Sequence, residues 1–166
     1  MAFAAGEVED GTGLSTAIVY EAVAPAATWL DRRGYTALGL LATDLLKEKA
    51  MILATAAAEK ALRPKFGGQP IQAAQSLLFP ARGAYRQDYR LIDEDDLPIR
   101  YLEAIRLLAD KSAQGKLMVN GSANGGIRRD WARGTGTEYF DGFNPTSFSA
   151  NHPQEWAMLA EFFSPV

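Results

Sequence analysis

The stretch Thr43-Asp44-Leu45-Leu46-Lys47-Glu48-Lys49-Ala50-Met51-Ile52-Leu53-Ala54-Thr55-Ala56-Ala57-Ala58-Glu59-Lys60-Ala61-Leu62-Arg63-Pro64 reads as one long helix. Thr43 suits the N-cap and Asp44 the first turn, where a carboxylate meets the positive end of the helix dipole. Leu46, Ala50, Leu53, Ala57 and Ala61 recur at helical spacing and predict one apolar stripe. Pro64 and Gly67-Gly68 terminate it. The many alanines permit close approach of a second helix.

Working outward, Pro25 opens a shorter helix through Trp29 and Leu30 that Gly34 stops, and Thr16–Tyr20 before it suits a short extended piece. Downstream, residues 67–97 form a long connection with a helical piece expected at Gln72–Leu77. Asp93-Glu94-Asp95-Asp96 then precedes Leu97-Pro98 and a third main helix ending near Lys116, with Ile99, Leu102, Ile105, Ala109 and Ala113 as its stripe. The expected fold is mainly α: a small bundle of about three main helices with a long inter-helix loop, and a C-terminal extended or β arm ending in a short helix at Pro153–Phe163. The division is a core over 1–118, a Gly/Asn-rich linker over 119–126, and an arm over 127–166, which packs on its own core or on a neighbour.

Several chemistries have no support. The chain has no cysteine, which excludes disulfides and thiolate metal sites. Its one histidine, His152, sits beside Pro153 in a turn and lacks a nucleophile–base pattern. The acids at 93–96 lack the ligand and glycine spacing of a calcium loop, since Leu97 and Pro98 follow. Glycine pairs at 11/13 and 134/136 lack the third glycine of a dinucleotide site. No catalytic residue, metal or cofactor is therefore expected. No secretory signal or membrane span is apparent.

Charge is unevenly spread. All 17 Lys and Arg lie between Arg32 and Arg133 with 11 of the 20 acids, leaving both ends acidic. Such polarity can steer docking or self-association. Arg128-Arg129-Asp130-Trp131-Ala132-Arg133 interleaves guanidinium groups with an aromatic ring, a pattern suited to a protein interface or to single-stranded nucleic acid.

An ordered set of segments carries a family resemblance over residues 8–116. Val8-Glu9-Asp10-Gly11-Thr12-Gly13-Leu14, Tyr20, Ala27-Thr28-Trp29-Leu30-Asp31-Arg32-Arg33-Gly34, Lys47–Thr55, Gln75-Ser76-Leu77-Leu78-Phe79-Pro80-Ala81-Arg82-Gly83 and Asp95-Asp96-Leu97-Pro98 are similar to the tailed-bacteriophage proteins known as DnaT-like single-stranded-DNA-binding proteins. Phe79 stands where that family usually has tryptophan, and Ala81 separates Pro80 from Arg82.

The resemblance implies a non-enzymatic adaptor of the phage neck, located in the virion and made in the host cytoplasm. Such proteins form a homo-oligomeric ring, typically of twelve, that docks on the portal and extends the DNA channel. The ring offers a surface to the next stopper or tail protein and lets genomic DNA pass without sequence-specific binding. Expected docking residues are Arg128, Arg129, Trp131, Arg133, Tyr139, Phe140, Phe143, Trp156 and Phe162. Glu7, Glu9 and Asp10, or Asp93, Glu94, Asp95 and Asp96, are candidate channel-lining acids. The alternative is a single-stranded-DNA-binding module using Arg128, Arg129, Trp131 and Arg133.

Overall fold

The computed structural model describes residues 3–4, 6–117 and 152–163. Its elements in chain order are α1 (Val23–Asp31), α2 (Ala37–Leu40), α3 (Asp44–Leu62), a 3-10 turn (Arg63–Lys65), β1 (Gln69–Pro70), β2 (Ala81–Arg82), α4 (Ile99–Ala113) and α5 (Pro153–Ala160). β1 and β2 form a two-residue antiparallel ladder, Gln69 opposite Arg82 and Pro70 opposite Ala81. The protein is thus mainly helical. The expected extended segment at 127–151 lies outside the described residues.

α3 begins as its sequence predicts, with the Thr43 side chain accepting from the Leu46 amide at 3.3 Å. Its stripe is different from the expected one. Leu46 is exposed and Leu53 half-buried, whereas Met51, Ala54, Thr55, Ala58 and Leu62 join Ala50, Ala57 and Ala61 inside. Past its first two turns α3 is covered on more than one side, which a single amphipathic stripe cannot express. α4 is central in the same way: it packs against α3, α5, α2 and α1. Tyr101, Ala104, Leu107 and Leu108 are therefore buried along with Ile105 and Ala109, while Ile99 is left exposed.

At the heart of the core, Phe79 packs on Tyr101 and Phe162 with ring centroids 4.9 and 5.6 Å apart, and Tyr20 meets Tyr101 edge-on at 5.1 Å. Aromatic pairs of this kind each contribute about 0.5–1.5 kcal/mol beyond their buried area. The four rings come from the N-terminal segment, the long connection, α4 and the turn after α5, so the core knits together sequence-distant pieces.

Gln72–Leu77, expected to be helical, is a series of turns. Side chains satisfy its backbone instead of a helical ladder. Gln75 accepts from the Ile71 amide at 3.1 Å and donates to the carbonyls of Leu77 and Pro80 at 2.8 and 2.7 Å. Ser76 Oγ donates to the Ala17 carbonyl at 2.5 Å, and the Ser76 amide donates to the Leu14 carbonyl at 3.3 Å. The connection is thereby fastened to the N-terminal turn.

That turn is organised by one buried carboxylate. Glu9, 3% exposed, accepts from the amides of Gly11, Gly13 and Leu14 at 3.0, 2.9 and 3.0 Å. Gly13 has φ +76°, and a Cβ there would lie 2.7 Å from Gln75 Oε1, so both conformation and space require glycine. Glu9→Ala is expected to cost about 1–3 kcal/mol because the amides lose their acceptor. Urea titration should show a lower midpoint with unchanged slope; an unchanged midpoint would mean that water replaces the carboxylate.

Candidate functional site

Chemistry-bearing side chains gather in two places. The first is wholly internal. Glu59 on α3 accepts from the Tyr20 hydroxyl, from the Tyr101 hydroxyl at 3.1 Å, from the Leu78 amide at 3.0 Å and from Arg63 at 3.1 Å. Tyr20 in turn accepts from the Phe79 amide at 2.9 Å. Burial pushes the Glu59 carboxyl above its usual range, against the opposing pull of these donors, and burial together with the Glu59 charge drives both phenols well up. With Glu59, Tyr20, Tyr101 and Phe79 buried and their polar atoms occupied, and Arg63 reaching the surface, the network ties α3, α4, the N-terminal segment and the long connection together rather than meeting a substrate.

The second lies where α4 ends and α5 begins. His152 is buried, and its Nε2 lies 3.2 Å from the Leu117 carbonyl. A carbonyl only accepts, so Nε2 carries the proton. Burial lowers the His152 pKa below its ordinary 6.5, favouring the neutral ring. Three residues on, Glu155 is 1% exposed and its Oε1 sits 3.3 Å from Lys111 Nζ. Asp110 accepts from the Leu38 amide at 3.2 Å and from Gln114 at 2.6 Å. A cavity of about 370 Å³ opens beside these groups. Together they fasten α5 and α2 to the last turns of α4. The sequence places His152 in a turn; it is instead the buried residue that precedes α5 at its N-cap position.

Of the expected docking residues, Arg128, Arg129, Trp131, Arg133, Tyr139, Phe140 and Phe143 lie outside the described residues. Phe162 is fully buried between Phe79 and Tyr101, and Trp156 packs half-buried on Phe163 with Lys65 Nζ 5.4 Å from its ring. The described end of the arm therefore packs on its own core.

Among the acids, Glu9 is taken up by its turn and Glu7 accepts from the Ala4 amide, while Asp10 and Asp93–Asp96 are exposed. The two acidic runs are neighbours: a Cβ on Gly11 would lie 3.1 Å from the Asp95 carbonyl. Hydrogen bonding to Thr12 lowers the Asp10 pKa, keeping it ionised.

The arginines tell a complementary story. Arg33, Arg63, Arg82, Arg90, Arg100 and Arg106 each lie within 4.0 Å of a carboxylate. Arg106 and Glu21 form a two-point pair at 2.7 and 2.6 Å. Arg33 and Arg106 lie 3.8 and 5.1 Å from the Trp29 ring, so both guanidinium groups are engaged by an aromatic face of their own subunit. No group of three or more His, Asp or Glu suited to a metal occurs among the described residues. Nor is any helix among them long and apolar enough to cross a membrane.

Sequence reasoning missed two exposed apolar groups. Leu40, Leu45 and Leu46 stand out at the α2–α3 corner, and Tyr85, Tyr89 and Leu91 on the loop before α4. The signal was present in Leu40-Leu41 and Leu45-Leu46, adjacent apolar residues that one helix face cannot bury together.

The family model described as "Putative DnaT-like ssDNA binding protein" matches residues 5–164, nearly the whole chain, and the chain belongs to that family. No curated protein and no solved structure matches.

Proposed function

We propose that this member of the DnaT-like family is a non-enzymatic structural subunit of a tailed-bacteriophage neck. It assembles with copies of itself into a ring docked on the portal, extends the DNA channel and receives the next neck or tail protein. The phage setting, the portal, the virion location and a number near twelve come from the resemblance in the first two-thirds of the chain.

The observation that carries the structural reading is the state of the described charges. Single-strand binding needs unneutralised Lys and Arg beside open aromatic faces. Here six arginines lie within 4.0 Å of carboxylates, while Asp10, Asp93, Asp95 and Asp96 are exposed and Gly11 sits beside the Asp95 carbonyl, bringing the two acidic runs together. Such a surface repels phosphate and lets a duplex pass without holding it. The ring is tested by electron microscopy of the purified chain with and without the portal protein; closed rings are expected, and a monomer under both conditions would overturn the reading.

Single-strand binding remains the second reading, favoured by the family's description and by the Arg128-Arg129-Trp131-Arg133 sequence. Anisotropy with a labelled oligothymidine, titrated with salt, separates the two. The structural reading expects no saturable binding at physiological salt. Tight binding that falls steeply with salt, by about 0.7 log units per phosphate contact for each tenfold rise in salt, would favour the nucleic-acid module.

A further inference from the structure

A closed ring requires each subunit to present two different, complementary surfaces, because its contact is repeated head to tail. The fold displays such a pair already fitted together: α5 with the turn after it, and the seat on α4 and its neighbours that receives them. Phe162 lies between Phe79 and Tyr101, and Leu159 is fully buried. Glu155 Oε1 sits 3.3 Å from Lys111 Nζ, Arg100 meets the Glu161 side chain at 3.1 Å, and Gln87 N donates to Glu161 O at 2.7 Å. Lys65 Nζ lies 5.4 and 4.6 Å from the Trp156 and Phe163 rings.

The two surfaces are unlike in charge as well as shape. Residues 152–163 hold the acids Glu155 and Glu161 and no Lys or Arg, and each acid meets a base of the seat. At eight residues α5 is too short to be stable by itself, so the seat is what orders it. It behaves toward the core as an amphipathic helix does toward a receptor groove.

The length of chain leading to α5 is out of proportion to the gap it closes. His152 Nε2 lies 3.2 Å from the Leu117 carbonyl, a gap that a few residues would bridge. The sequence places 34 residues there, 118–151. A stretch of that length reaches up to about 110 Å when fully extended. A compact chain of this size has a radius of gyration of about 15 Å, so the stretch can carry α5 across to a neighbouring copy.

The contacts are the same whichever copy supplies α5, so exchanging it asks for no surface that the fold does not already hold. Exchange also favours closure. An open row of copies leaves one seat empty at one end, exposing the Phe79 and Tyr101 rings to water, and one α5 unseated at the other; a closed ring fills every seat.

Resting on the ring reading above, we infer that α5 of each copy occupies the seat of the next, joining the subunits head to tail by exchange of residues 152–163. The chain has no cysteine, so introduced thiols stand alone. Full-length Gln87→Cys/Glu161→Cys places one thiol on each side of the seat, at an exposed and a half-buried position, and should melt as the wild type does. Rings seen by electron microscopy are treated with a short bis-maleimide and separated under denaturing conditions. Exchange gives a ladder of linked copies from the dimer up to the full ring. Co-expressed single variants, Gln87→Cys with Glu161→Cys, should give linked dimers that neither gives alone. Rings whose double variant yields only internally linked monomers would overturn the exchange and leave the ring standing. A chain that is monomeric alone and with the portal protein would overturn the ring reading and the exchange with it.

Discussion

A chain truncated after Gly126 is expected not to fold cooperatively. The sequence sets a core over 1–118 apart from an arm over 127–166, but residues 152–163 of that arm are part of the core. Leu159 and Phe162 are 0% exposed, Phe162 meets both Phe79 and Tyr101, and α5 packs along α4. Phe162→Ala alone should cost about 3–5 kcal/mol, a buried aromatic lost with a cavity left behind. That is a large share of the roughly 5–15 kcal/mol holding a domain together. Chemical denaturation followed by circular dichroism measures it. By contrast, joining Leu117 to His152 through a short glycine-serine linker in place of residues 118–151 should preserve the transition, because those ends already meet at 3.2 Å. If the full truncation unfolds as cooperatively as the intact chain, α5 contributes nothing to the core and this account of it fails.

The helices were legible because their signals are local. Thr43 and Pro64 bracket α3, and Gly34 and Gly115 take the left-handed φ of +81° and +70° that their helix-ending positions require. What the sequence hid was long-range compensation. Gln72–Leu77 has helical composition, but Gln75 and Ser76 bond outward to Pro80, Leu14 and Ala17, and no local pattern records those partners. Phe162 read as an interface anchor because hydrophobicity does not say which surface will cover it. Glu9 read as a surface acid for the same reason in reverse: only the fold shows that its carboxylate faces three amides. The acidic runs were offered as alternatives, yet the packing of Gly11 beside Asp95 makes them one surface.

Replacing Glu59 by alanine is expected to cost on the order of 3–5 kcal/mol, since the Tyr20 and Tyr101 hydroxyls and the Leu78 amide would lose one buried acceptor together. The subtler consequence is a pH dependence of unusual sign for a carboxylate. Burial raises the Glu59 pKa in the folded chain above its ordinary 4.5, so the native state binds this proton more tightly than the unfolded chain does. Its contribution is fully present below 4.5 and is lost as pH rises through the elevated folded value. Asp10, whose pKa is lowered, pulls the other way, so the raw stability profile mixes the two. Glu59→Gln isolates the effect: glutamine still accepts from both phenols but cannot ionise. Subtracting its stability profile from that of the wild type should leave a curve that declines with pH from about 4.5 upward and then levels off. A flat difference would mean that the Tyr20, Leu78, Arg63 and Tyr101 contacts already balance the burial of the charge, and the carboxylate would then be an ionised strut rather than a titrating one.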